Sequence, residues 1–302
     1  MKLTAFFGSF LLILGFSMAL VVGSSAQNSE LIYQVHQVAN SQVHTLLIPR
    51  DSNYQVNVDV AENLESLPSF AQRNGAIAVI NGGFFDPKNG ETTAYIRQNG
   101  KIIADPRQNE RLIENPNLKT SLPQILNRSE WRRYQCHEGV RHGITSHRAP
   151  IPRGCQLIDS LGAGPALVPD ISAVAEAFVS YSQGKIVKDA LGINQPNARS
   201  AIGITPRGDL IWVMVEQKPR GLSLVELAKF LQGLGVVAAL NLDGGSSTAL
   251  YYQGETIHGK IDSQGNGVER PVKSVLWIKK IKVPIFTTPP KAGESFYMVL
   301  SY

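Results

Sequence analysis

Residues Val236–Leu250 read VVAALNLDGGSSTAL. An apolar run ends in Asn-x-Asp and breaks at once into two glycines and two serines. A strand that only fills a core needs no such ending. On extended backbone Asn241 and Asp243 point to one face and Leu242 to the other. Gly244 and Gly245 carry no Cβ, so positive φ and close approach to the backbone are open to them. Successive N–H groups in such a turn can form a nest for an anion, with Ser246 and Ser247 adding hydroxyls. A carboxylate there can bind sugar hydroxyls, move a proton or hold a cation. Taken alone, the same residues also describe a tight turn whose Asp and Ser cap their own backbone.

The residues just upstream place this ending on a strand. Ser223 and Glu226 form a capping box, and Leu224, Leu227, Ala228 and Leu231 share one helical face. Gly233 and Gly235 stop the helix. Helix, glycine, buried strand is a unit that delivers Asn241 and Asp243 to a strand end. A second segment repeats the plan: AIAVI runs into NGGFFD, so that Asn81, Gly82, Gly83 and Asp86 also follow an apolar strand. One of Phe84 and Phe85 belongs to the core; the other can serve as an apolar platform for a sugar ring. RSAIG adds Arg199 and Ser200, where arginine is the natural fork for phosphate or carboxylate and a surface ion pair is the plain alternative.

Further out, LIYQVHQV and HTLLIPR predict two strands turned at Asn40-Ser41, and YQVNVDVA alternates with Tyr54, Val56, Val58 and Val60 on one face. ENLESLPSFAQRNG predicts a short helix interrupted by Pro68 and ended by Gly75. AYIRQNGKII predicts a hairpin at Asn99-Gly100. RSAIGIT and LIWVMVE predict another, at Pro206-Arg207-Gly208. ISAVAEAFVSYSQG is read as a helix. Residues 105–159 are rich in Arg, Asn and Pro with little periodicity, and are read as an insertion, partly helical around LKTSLPQIL. Strands outnumber helices and many are joined as hairpins. This predicts an α+β fold of mixed, largely antiparallel sheets with packed helices, one catalytic domain over 27–285 and a tail over 286–302.

Composition sets the wider limits. The 302 residues are 43% hydrophobic and 18% charged, as in globular proteins, with a formal net charge of +5. That surplus favours anionic ligands but forms no long stripe, and no nucleic-acid-binding motif accompanies it. Lys2 precedes the apolar stretch TAFFGSFLLILGFSMALVV, followed by small residues at Ser24 and Ala26. Residues 1–26 are therefore a cleaved secretory signal or a retained membrane anchor; either exports the remainder, and membrane contact is expected only if the segment stays. Cys136 and Cys155 enclose a polar, Arg-rich loop, and export favours a disulfide between them. A metal site with His137, His142 or His147, or free thiols, are the competing readings.

AVINGGFFD, GAGPALV, RSAIGI, GLSLVELAKFLQGLG, AALNLDGGSSTAL and ERPV follow one another in the order seen in the phosphodiester glycosidase family, which the chain resembles from Ala76 to Ile278, the insertion excepted. Exported bacterial members of that family are described as exopolysaccharide-related. The resemblance implies hydrolysis of the bond between a sugar C1 and a phosphodiester oxygen, on N-acetylglucosamine-like sugars or cell-surface polysaccharide. By motif position it implies a site lined by Asn81, Gly82, Gly83, Asp86, Arg199, Ser200, Asn241, Asp243, Gly244, Gly245 and Arg270. Many relatives carry a third glycine before the serines, and the cysteine-bearing insertion is not general.

Such a reaction needs charge stabilisation for the departing phosphate, from Arg199 or Arg270 and from backbone N–H groups. It also needs a carboxylate beside the oxocarbenium-like carbon. Asp243 is the first choice, Asp86 the second and Glu216, at the end of LIWVMVE, the third. Ser246 or Ser247 as nucleophile is disfavoured because no GxSxG elbow or paired histidine accompanies them. The histidines are scattered, so neither a metal nor an organic cofactor is expected. A non-catalytic protein of the same fold, binding glycans or anionic polysaccharide, is the alternative. Arg128, Arg132, Arg133, Arg141, Arg148 and Arg153 of the insertion are expected to present positive charge to an anionic polymer.

Overall fold

The computed structural model describes residues 30–281. The signal or anchor expected at 1–26 and the tail expected at 286–302 lie outside the described residues. The first sheet has six antiparallel strands in the spatial order β1 (Ile32–Val38), β2 (Ser41–Ile48), β14 (Leu210–Val215), β13 (Arg199–Ile204), β15 (Ala238–Asn241) and β10 (Ala166–Val168). The second runs β17 (Glu255–His258), β16 (Ala249–Tyr252), β4 (Ala78–Asn81), β18 (Val272–Lys280) and β3 (Tyr54–Glu65). The third runs β6 (Lys101–Ala104), β5 (Ile96–Gln98), β9 (Cys155–Gly162), β7 (Ser129–Cys136) and β8 (Gly139–Ser146). A separate hairpin, β11 (Val179–Ser182) and β12 (Lys185–Asp189), pairs only with itself. The helices are α1 (Leu67–Asn74), α2 (Glu110–Ile113), α3 (Leu122–Ile125) and α4 (Leu224–Gly233). This is the α+β fold that the alternation and hairpin signals predict.

One apolar core joins all three sheets. Leu46, Ile202, Met214 and Leu240 from the first meet Val58, Ile80 and Leu276 from the second and Ile96, Trp131 and Leu161 from the third. Helix α4 buries Leu224, Leu227 and Leu231 against the other face of the first sheet, on Ala201, Val213 and Ala239. Its capping box is formed as expected, with Ser223 accepting from the Glu226 N–H. Helix α1 lays Leu67 and Phe70 on Val79 and Val275, the outer face of the second sheet. Pro68 does not interrupt this helix. It sits in the first turn, where its missing N–H costs nothing, and Ser66 caps the end.

Two segments differ from expectation. Within 105–159 the expected helix near LKTSLPQIL shortens to α3, and the rest supplies β7, β8 and most of β9. The alternation is masked because charged side chains take buried positions: Arg132 pairs with Glu130 at 2.6 Å and Arg133 with Asp159. Those two arginines are therefore internal and present no charge to a polymer. The helix expected over ISAVAEAFVSYSQG is instead a turn-rich stretch leading into β11. Gln183 and Gly184, both at positive φ (49° and 75°), make the tight turn to β12. The hairpin at Asn99-Gly100 forms as expected, whereas the first hairpin turns at Ala39-Asn40, one residue early.

Cys136 and Cys155 are bonded, on paired residues of β7 and β9. Because the ladder already holds these strands together, replacing both cysteines by serine should cost less than the ~3 kcal/mol expected from loop entropy alone. Urea denaturation of the two proteins measures the difference. Gly83 is under a harder constraint: a Cβ there would lie 2.1 Å from the backbone oxygen of Gly162. Since backbone cannot swing away, Gly83→Ala should cost at least ~2 kcal/mol in the same measurement.

Candidate active site

Antiparallel pairing brings the N-terminal end of β13, the C-terminal end of β15 and the C-terminal end of β4 to one place. Ala201 is opposite Asn241, and the Leu242 N–H donates to the Ser200 carbonyl at 2.9 Å. Asn81, the last residue of β4, is fully buried between the two sheets. Its Nδ2 donates to the Asp243 carbonyl at 2.7 Å. Its Oδ1 accepts from the Ser200 hydroxyl at 2.6 Å and from the Ala249 N–H at 3.2 Å. The Asp243 N–H returns a bond to the Gly82 carbonyl at 3.0 Å. The NGG and DGG turns are thus hooked together.

Two further contacts fix the surroundings. Gly82 N–H donates to the Ser274 carbonyl and Gly83 N–H to the Ser274 hydroxyl, which anchors the NGG turn on β18. Asn241 Nδ2 donates to the Gly164 carbonyl at 2.8 Å, and the Gly164 N–H to the Asn241 carbonyl, which clamps the GAGP turn onto β15. Asn241 Oδ1 and Thr248 Oγ1 are buried with no partner among the described residues. Such atoms normally find water or ligand.

Asp243 stands at the centre. Burial pushes its carboxyl up to about 6, against the opposing pull of the Ser247 hydroxyl, the Gly244 N–H and the Arg270 charge. Arg270 donates to the Ser246 hydroxyl at 2.9 Å and lies over the Phe85 ring, 5.3 Å from its centroid. An acid with a carboxyl near 6 beside a cation changes protonation state close to neutrality, as proton-transfer groups do.

Most of the expected nest of N–H groups is already engaged. Gly244 N–H is taken by Asp243 Oδ1, Gly245 N–H by the Ala198 carbonyl and Ser247 N–H by the Gly244 carbonyl. Gly245, at φ 62°, supplies the turn's shape rather than donors. Arg199 likewise is no free fork. Its guanidinium donates to the carbonyls of Leu222, Leu191, Gly192 and Gln195, a buried cation solvated by backbone, and burial lowers its pKa to about 10. The expectation of an open phosphate ligand at Arg199 is corrected by these bonds: four of the five N–H groups are committed to backbone, and the buried side chain fastens the 191–195 loop.

The other two carboxylates are engaged elsewhere. Asp86 accepts from the Lys88 N–H at 2.8 Å and pairs with Arg111 at 2.7 Å. Burial raises its carboxyl, but these partners outweigh that and hold it below the usual range, so it is a fixed anion closing the 86–90 turn. Glu216 bonds His44 at 2.7 Å, and His44 bonds the Tyr33 hydroxyl at 2.7 Å. That cluster is centred on β1, β2 and β14, and no bond ties it to Asp243. Of the three candidate carboxylates, only Asp243 has Arg270, Ser246 and Ser247 around it.

Sequence reasoning missed Ser274, which carries no motif signal, and named Arg128 only as one of the charged insertion residues, not for its place beside the NGGFFD turn. Arg128 donates to the Glu176 carbonyl and lies 3.7 Å over the Phe178 ring, which itself packs on Phe84 of NGGFFD. The glycines of GAGP were the available signal for this neighbourhood, because Gly164 leaves no room for a Cβ beside Glu176 and Phe178.

Comparison with known proteins bears on this arrangement. A hypothetical protein from Synechocystis superposes with a TM-score of 0.54 at 17% identity, covering 82% of this chain; the chain spans 61% of that protein's length. The catalytic domain of zebrafish N-acetylglucosamine-1-phosphodiester alpha-N-acetylglucosaminidase, auto-inhibited by its pro-peptide, gives a TM-score of 0.59 at 18% identity, with 82% of each chain covered. A Burkholderia pseudomallei protein described as exported gives 0.54 at 15% identity, covering 79% of this chain and 74% of its own. No curated protein matches the chain. At these identities the likeness is one of fold. Residues 74–279, which contain both hooked turns, Arg270 and the third sheet, match the family model for phosphodiester glycosidases, and the chain belongs to that family.

Proposed function

We propose that this protein is an exported hydrolase that cleaves the sugar C1–oxygen bond of sugar-1-phosphodiesters, on N-acetylglucosamine-like sugars or cell-surface polysaccharide. The observation that carries this reading is the Asp243 carboxyl, raised to about 6 and faced by Arg270 over a phenylalanine ring. Family membership supports the reaction class. Export is supported by the Cys136–Cys155 bond and by the fold likeness to a protein described as exported.

In the proposed reaction the C1–O bond breaks and its electron pair leaves with the phosphate, giving a phosphomonoester. Arg270, held by Ser246, offsets the charge that collects on the departing oxygen. Ionised Asp243 lies against the electron-poor C1 and takes a proton from the water whose oxygen bonds to that carbon. Because a phosphomonoester is a good leaving group, no separate strong acid is required. Asn81, Ser200 and Asn241 act through position. They fix the strand ends from which Asp243 projects, and Gly82, Gly83, Gly244 and Gly245 give those ends their shape. Carbohydrate phosphodiesters or anionic polysaccharide are the partners this site suits, not nucleic acid.

Two outcomes test the assignment, both with purified protein and a panel of sugar-1-phosphodiesters scored for released reducing sugar. The active form requires ionised Asp243, so kcat/KM should rise with pH through an apparent pKa of about 6 and then level off. A profile flat from about pH 5 to about pH 7 removes Asp243 from the chemistry. Asp243→Asn should lower kcat/KM at least ~10²-fold. It should also stabilise the fold above pH 6. A carboxyl raised from 3.8 to about 6 contributes stability that is lost as pH rises through the folded value, and asparagine escapes that loss. The expected gain is up to about 3 kcal/mol, read by urea denaturation at about pH 8 and nearly absent at about pH 4.

A further inference from the structure

We infer that Arg128 and Lys188 form a second anion subsite beside the Asp243 centre, and that the substrate carries a phosphate there in addition to the one being cleaved. This rests on the reaction proposed above and narrows its substrate to a chain of sugar-1-phosphate repeats.

Arg128 precedes β7 and is half-buried. Its Nε donates to the Glu176 carbonyl at 3.0 Å, leaving the N–H groups of Nη1 and Nη2 without an acceptor among the described residues. Burial pulls its pKa down to about 10, with the Glu176 charge opposing. That carboxylate makes no ion pair with it: its oxygens are occupied by the Ser129 N–H and hydroxyl, the Ser172 hydroxyl and the Ala166 N–H. Lys188 is the neighbouring cation. Its Nζ donates to the Ala177 carbonyl at 3.1 Å, so successive carbonyls hold the two positive groups. Between them Ala177 sits at φ 57°, a left-handed conformation that costs alanine about 1 kcal/mol. Strain at a buried alanine, two cations on adjacent carbonyls and a stacked guanidinium with free donors together make an arrangement that an incoming anion would complete.

The placement relates this subsite to the centre. Phe84 and Phe85 are consecutive in the turn hooked to Asp243. The Phe85 ring lies under Arg270, whereas Phe84 packs on Phe178, 5.6 Å between centroids, and Phe178 lies under Arg128. One turn therefore separates two cationic positions, each on an aromatic face. Two cations divided in this way match two phosphates separated by a sugar better than a single phosphodiester. The β11–β12 hairpin that carries Lys188 also exposes Tyr181 and Val187, at 51% and 63%.

The test is calorimetric titration of the Asp243→Asn protein, so that ligand is not consumed. The probes are a synthetic N-acetylglucosamine-1-phosphodiester with one phosphate and its two-phosphate dimer. The dimer should bind about 10-fold tighter, and Arg128→Gln or Lys188→Gln should collapse that ratio towards one. Lys188→Gln, on an outlying hairpin, keeps the test sound if Arg128→Gln unfolds. A second arm titrates inorganic phosphate into the wild-type protein. Saturable binding that is lost in Arg128→Gln and kept in Arg270→Gln supports the subsite even where neither sugar ligand binds, an outcome that would count against the proposed reaction alone. Equal binding of monomer and dimer, or phosphate binding indifferent to both Arg128→Gln and Lys188→Gln, overturns the subsite.

Discussion

The primary amide of Asn81 is the contact on which the geometry of this protein depends. Two sheets with separate hydrogen-bond ladders meet here through one backbone bond, from the Asp243 N–H to the Gly82 carbonyl. One buried side chain adds the rest: it takes a hydroxyl from the first sheet, an N–H from the second and gives a bond to the carbonyl of Asp243. Three directional bonds at one fully buried residue leave little freedom for the turns they connect. An aspartate of the same shape has no N–H to offer the Asp243 carbonyl, and an apolar residue would leave three buried groups unpaired. The position therefore requires both a donor and an acceptor.

Around that point the fold handles charge in two contrasting ways. Arg199 is buried with four backbone carbonyls and no carboxylate in hydrogen-bond contact, so its cost is met mainly by oriented dipoles, helped by the Asp189 charge, and the residue becomes a loop fastener. Asp243 is given less: a hydroxyl, one N–H of the next residue and a cation at longer range. Its ionised form is under-solvated, and that deficit shifts its titration towards neutrality. The same balance of burial against partners, applied at Asp86 with Arg111 in contact, gives the opposite shift. Carboxylates that look alike in the sequence are thus separated by their neighbours.

Much of the centre was legible because its features are local. The capping box of α4, the apolar run of β15 and the glycine pairs each announce themselves within a few residues, and they place Asn241, Asp243 and Asn81 at strand ends. What was not legible depends on residues distant in the chain. Arg199 resembles a ligand until the carbonyls of 191–195 and 222 close on it. β7 and β9 were hidden because Glu130, Arg132, Arg133 and Asp159 satisfy one another indoors, which breaks the rule that charge marks the outside of a strand. Arg128 was legible only as one charged residue of the insertion, since its contacts come from Phe178 and Glu176, 50 and 48 positions on.

The bond from Asn81 to the Asp243 carbonyl spans 162 residues of chain. Pairing of β15 with β13 places the strand, but the tie to the second sheet needs this distant contact, so a partly folded chain, even one with α4 and β15 formed, lacks the full geometry around Asp243. Long-range closures of this kind come late and slowly in folding, because loop entropy must be overcome before the contact repays it. The full set of contacts around Asp243 is assembled only when the two sheets have docked. The geometry around this carboxylate thereby becomes a report on completed folding, because neither turn can hold it before the two sheets meet.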